Sequence, residues 1–154
     1  MINEGNSLVG GRYQLIHLLG RGGMSAVYKA YQANLDRHVA LKFLRPDFFP
    51  NPTFRERFPQ EARHIAALSH PNIVQVHDFD DTGDSCYLVM ELIEGQSLQS
   101  YLDDLAARQQ PLPIPEATQL ITKIGEALAY AHNRQLIHRD VKPSNVMLAA
   151  DGRV

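Results

Sequence analysis

The stretch from Ile137 to Leu148 reads I-H-R-D-V-K-P-S-N-V-M-L, and it places an acid (Asp140), a base (Lys142) and a carboxamide (Asn145) within six positions. Pro143 fixes the backbone between them, and an apolar V-M-L run follows. These residue types suit phosphoryl transfer. That chemistry needs a carboxylate to orient an attacking hydroxyl and take its proton, a cation near the transferred group, and an oxygen ligand for the divalent ion bridging the phosphates. A polar turn between a helix and a short strand could hold the same residues, so the weight rests on what else the chain supplies.

Two further features point the same way. Gly20, Gly22 and Gly23 lie between two alternating runs, residues 13–18 and 26–31, where a tight turn would let backbone N–H groups approach phosphate oxygens. A dinucleotide-binding loop should lead into a helix, and a Walker loop needs Gly-Lys-Ser/Thr; neither is present. Residues 38–44 read H-V-A-L-K-F-L, a strand whose Lys42 would be costly inside an apolar environment without an anion. The alternative is an edge-strand lysine facing solvent. A helix over residues 54–68 would carry Phe58, Ala62, Ile65, Ala66 and Leu68 on one face, bordered by Glu61, with Glu56 as a competing partner for Lys42. Pro59 would break such a helix unless the helix proper starts there, which puts Glu61 in its first turn.

Taken in order, these motifs resemble the catalytic domain of protein kinases, and the G-G-M-S form of the glycine turn resembles its bacterial serine/threonine members. H-R-D-V-K-P-S-N is similar to the H-R-D-L-x-x-x-N loop with Val141 in place of Leu. The run from Gly20 is similar to G-x-G-x-x-G-x-V with Ser25 at the third glycine, and V-A-L-K to V-A-I-K. The resemblance implies that Lys42 holds the α- and β-phosphates and pairs with Glu61, whose spacing fits better than that of Glu56. It further implies Asp140 as the catalytic base, Lys142 as the phosphoryl-side cation of a serine/threonine enzyme, and Asn145 as a ligand of Mg2+, with Mn2+ as an alternative. ATP would lie between two lobes, its adenine between Val27, Ala40 and Met147, bordered by Leu19 and the glycine turn. Met90 would be the gatekeeper, and the main-chain groups of Glu91 and Ile93 the adenine contacts. Besides ATP, the implied partner is a protein with a serine or threonine acceptor. Asp78-Phe79-Asp80 lacks the glycine of the family's metal motif and precedes the catalytic loop, so it reads as a strand end.

Composition sets the outer bounds. At 154 residues and 44% hydrophobic content the chain can bury one domain's core, and a formal charge of -2 gives no basic field for nucleic acid. Cys86 is the single cysteine, which excludes an intrachain disulfide and reads as a buried strand residue. The seven histidines are scattered without metal-ligand spacing. No apolar stretch is long enough to span a bilayer and the N-terminus lacks a signal peptide, so a cytoplasmic location is expected, with an anchor beyond Val154 left open.

The expected fold is α+β: a kinase-like lobe of five antiparallel strands and one main helix, then the first helices and catalytic loop of a helical lobe. The expected division is a flexible tail (1–12), an N-lobe with its hinge (13–93) and a partial C-lobe (94–154). A strand is expected over residues 73–79 and helices at residues 97–108 and 116–134, the second helix with Leu120, Ile124, Leu128 and Ala131 in register, and Asp151-Gly152 reads as a turn. No Asp-Phe-Gly follows, so the resemblance implies an incomplete catalytic domain that is inactive alone. A pseudokinase or nucleotide-binding module without turnover is the alternative.

Overall fold

The computed structural model describes residues 8–22, 25–44, 62–81 and 86–154. The chain forms two compact units, one containing residues up to Ala67 together with Gln75–Leu92, the other Leu68–Val74 and Ile93–Val154.

The first unit is built on an antiparallel sheet of β1 (Leu8–Val9), β2 (Tyr13–Arg21), β3 (Ser25–Gln32), β4 (Arg37–Leu44), β5 (Val76–Asp81) and β6 (Cys86–Glu91), in the order β1-β2-β3-β4-β6-β5. Period-two alternation sends Tyr13, Leu15, Tyr28, Ala30, Val39, Leu41, Phe43, Tyr87 and Val89 into one core. Their rings meet edge to face or tilted: Tyr28 on Phe43 at 5.6 Å, Phe43 on Tyr87 at 5.4 Å, Tyr13 on Tyr87 at 6.1 Å. On the opposite face of β5 and β6, Val76 and Leu88 pack against Ala62, from the helical residues 62–66.

Arg12, in the turn between β1 and β2, reaches Asp78 and Asp80 of β5 at 3.1 Å each. Those strands lie at opposite ends of the sheet order, so the sheet is curled until its edges meet. Asp80 also accepts a hydrogen bond from the Tyr87 hydroxyl at 3.0 Å.

Three expectations are corrected here. Leu8 and Val9, assigned to an irregular tail, form β1 against Tyr13 and Gln14, so the sheet has six strands among the described residues instead of five. Strict alternation over residues 13–18 would put His17 on the face of Tyr13 and Leu15, but a bulge between Leu15 and His17 shifts the register; His17 is exposed, and Leu18 packs on the core. The strand expected over residues 73–79 starts at Val76, because Leu68–Val74 belongs to the second unit.

The second unit holds β7 (Gly95–Ser97), α1 (Leu98–Ala107), α2 (Ile114–His132) and β8 (Met147–Ala149). Ser97 caps α1, its Oγ accepting from the Ser100 N–H at 3.1 Å. Helix α2 starts two residues earlier than expected, at Ile114, since Pro115 is tolerated in a first turn where no N–H partner is needed. Leu120 and Ala127 are its buried positions. Among the described residues no helix is long and apolar enough to cross a membrane.

Candidate functional site

In the first unit, strand pairing gathers several of the residues singled out above. Lys42 lies between Val27 of β3 and Leu88 of β6, and Ala40 lies between Lys29 and Met90. Directly paired residues of antiparallel strands project to the same side, so Val27, Ala40, Lys42 and Met90 share one face, opposite the aromatic core. Lys42 is half-buried and has no carboxylate partner among the described residues. Glu61 and Gly23 lie outside the described residues. Leu19 and Gly20 are exposed near the end of β2, with Gly20 paired to Val27, and the Gly22 N–H closes the turn on the Ser25 carbonyl at 2.8 Å. The Glu91 N–H donates to the Gln75 carbonyl at 2.9 Å, which removes that N–H from ligand binding.

In the second unit the loop after α2 forms a compact polar cluster. Lys142 Nζ lies 2.9 Å from Asp140 Oδ2. Asn145 Nδ2 donates both to Asp140 Oδ2 at 3.0 Å and to the Asp140 carbonyl at 2.8 Å. The ammonium of Lys142 first, and the Asn145 amide second, hold the Asp140 carboxyl below the usual carboxylate range. The Asp140 N–H donates to His138 Nδ1 at 3.2 Å, and Pro143–Asn145 forms a single 3-10 turn closed by the Asn145 N–H on the Lys142 carbonyl at 2.9 Å. Arg139 has φ of 62°, a left-handed conformation that side chains adopt at a cost, and it falls between His138 and Asp140. With Nδ2 committed to Asp140, the Asn145 oxygen is the atom left for a hard cation. One carboxamide oxygen is not a complete site, and no group of three or more His, Cys, Asp or Glu side chains suited to a metal occurs among the described residues.

The strand that follows the cluster is held by backbone pairing. Met147–Ala149 pairs with Gly95–Ser97, and the ladder continues through Leu98 N–H to the Val146 carbonyl and Ala150 N–H to the Glu94 carbonyl, each at 2.8 Å. Residues 68–74 dock on α2: the Ser69 N–H donates to the Tyr130 hydroxyl at 3.1 Å, and the His70 ring lies 5.0 Å from that of Tyr130. The Arg134 guanidinium stacks on Tyr130 at 3.6 Å. Sequence reasoning missed Gly95 and Tyr130. The signal for Gly95 was a glycine at a strand position, which often marks a close backbone approach; Tyr130 carried none beyond its place on an amphipathic helix.

The family model described as the protein kinase domain matches residues 13–154. The chain belongs to the protein kinase domain family. It is 44% identical over 154 residues to serine/threonine-protein kinase PksC of Streptomyces coelicolor, covering 97% of this chain and 28% of that protein. To serine/threonine-protein kinase PrkC of Bacillus subtilis it is 40% identical over 146 residues, covering 95% of this chain and 22% of the relative. The crystal structure of the Mycobacterium tuberculosis PknI kinase domain superposes with a TM-score of 0.82 at 32% identity, covering 94% of this chain and 57% of that one. This member of the kinase family thus spans well under half the length of these curated relatives. The α+β kinase-like fold expected from the sequence is the fold observed.

Proposed function

We propose that this chain provides the nucleotide-binding sheet and catalytic loop of a serine/threonine protein kinase, which transfers the γ-phosphoryl group of ATP to a protein hydroxyl. The observation that carries the reading is the cluster of Asp140, Lys142 and Asn145, joined by hydrogen bonds at 2.8 to 3.0 Å. Asp140 accepts the proton of the serine or threonine hydroxyl as its oxygen bonds to the γ-phosphorus and the bond to the β-phosphate oxygen breaks. Lys142 neutralises charge on the moving phosphoryl group and holds Asp140 ionised. Lys42 binds the α- and β-phosphates, paired with Glu61, and the backbone around Gly20, Gly22 and Gly23 covers them. Leu19, Val27, Ala40 and Met147 enclose the adenine, Met90 limits the pocket behind it, and the Glu91 carbonyl and Ile93 N–H read its edge. Asn145 presents its side-chain oxygen to Mg2+ or Mn2+, which when bound offsets charge on the phosphates.

The test is transfer of labelled phosphate from ATP to itself and to a generic basic protein by the full-length protein, beside its Asp140→Asn variant. Label on serine or threonine in the first and none in the second is the expected result. An unlabelled wild type that still binds ATP would establish a nucleotide-binding module without turnover instead.

A further inference from the structure

Gly95 sits in β7, where neither burial nor a left-handed backbone calls for glycine: it is exposed, and it is not among the positive-φ residues. What calls for it is the neighbouring strand. A Cβ at this position would overlap the Leu148 carbonyl and stand 3.0 Å from the Ala149 Cα, both main-chain atoms that no side-chain rotation can move aside. Most other described glycines, Gly125 among them, have nothing within 4 Å of such a Cβ.

We propose that Gly95 is a positioning residue for the catalytic loop, setting the separation of β7 and β8 and through it the place of Asn145. The mechanical route is short. Asn145 ends the 3-10 turn, Val146 accepts the Leu98 N–H at 2.8 Å, and Met147 begins β8. A side chain at position 95 pushes β8 outward, and the push reaches Asn145 through two covalently linked residues. Asn145 holds Asp140 by two hydrogen bonds, so its displacement loosens the acid as well as the oxygen offered to the cation. The strand leaving Glu91 and Ile93 would then be coupled to the metal-facing end of the site by backbone pairing alone. The part concerning the cation rests on the kinase reading; the part concerning the ladder does not.

The experiment compares full-length wild type with Gly95→Ala and, as control, Gly125→Ala, where the added methyl meets open space on α2. Hydrogen exchange is followed by mass spectrometry over residues 94–98 and 145–150 and over β2–β4, and phosphoryl transfer is titrated with magnesium. Gly95→Ala should speed exchange in the first two segments while leaving β2–β4 at wild-type protection. It should also raise the half-saturating magnesium concentration by roughly 10-fold or more, since disturbing the groups that orient a metal ligand typically costs 10–100-fold in metal affinity or activity. Gly125→Ala should match the wild type in both. Unchanged exchange around the ladder, a loosened ladder with unchanged magnesium dependence, or loss of protection throughout β2–β4 would each overturn the proposal. If the wild type transfers no phosphate, the kinase reading fails while the exchange data still decide whether Gly95 sets the strand separation.

Discussion

Asn145 binds Asp140 through one amide group, donating to its carbonyl at 2.8 Å and to its carboxylate at 3.0 Å, so that the acid is fixed at both main chain and side chain. The carboxylate is otherwise exposed to water and shares its charge with Lys142.

The Asp140 carboxyl should therefore titrate below the ordinary aspartate value, with Lys142→Met raising it most and Asn145→Ala less. A depressed folded value contributes stability above the unfolded value, and that contribution is lost as pH falls through the folded one. For so exposed a group the effect on folding is small, and the titration is the signal. Carbon-detected NMR of the side-chain carboxyl across pH 2–6 would check it; an ordinary value in the wild type would refute it.

Lys42→Met should lower phosphoryl transfer by at least ~10²-fold, on the order of the loss seen when a charge-stabilising donor is removed from an active site. Methionine keeps the stem that lies between Val27 and Leu88, so the melting temperature should stay near that of the wild type. Steady-state kinetics and a thermal melt, run together, separate the two effects.

Tyr87→Phe removes one hydrogen bond to Asp80 and keeps the ring against Phe43 and Tyr13, for a loss of about 1 kcal/mol. Tyr87→Ala opens a void among those rings and should cost about 3–5 kcal/mol. Denaturant unfolding that ranked the two variants equal would contradict the packing described.

Ser97→Ala deprives the Ser100 N–H of its acceptor and should destabilise α1 by about 1 kcal/mol, whereas Ser97→Asp should retain the cap. Exchange at the Ser100 amide reports this directly.

Much of the site could be read from residue types, because its chemistry is local. Asp140, Lys142 and Asn145 lie close in sequence, and the turn closed on Lys142 brings their side chains together. Lys42 stood out as a charge inside an apolar strand, and it is the strand pairing that puts it opposite the core side of β4. The bulge at Leu15 and His17 left no mark, since it reflects how β2 must bend to follow the curled sheet and not any residue's preference. Strand β7 was equally hidden: Gly-Gln-Ser has no apolar alternation, and it becomes a strand only because Met147–Ala149 arrives beside it. Residues 68–74 look like a connection between neighbouring elements, and nothing local announces their attachment to Tyr130.

The meeting of the sheet's edges at Arg12 also bears on how the protein behaves in a crowded solution. An open strand edge is a template on which another chain can add itself. Here the β5 edge carries Asp78, Asp80 and Asp81. A second molecule offering the same strand would bring carboxylates against carboxylates, while Arg12 already occupies the positions at which an incoming basic group could settle. The salt bridges at that rim add less than about 1 kcal/mol each to folding. Arg12→Ala should therefore aggregate faster than its small loss of stability would suggest, and more so as added salt screens the carboxylates of β5.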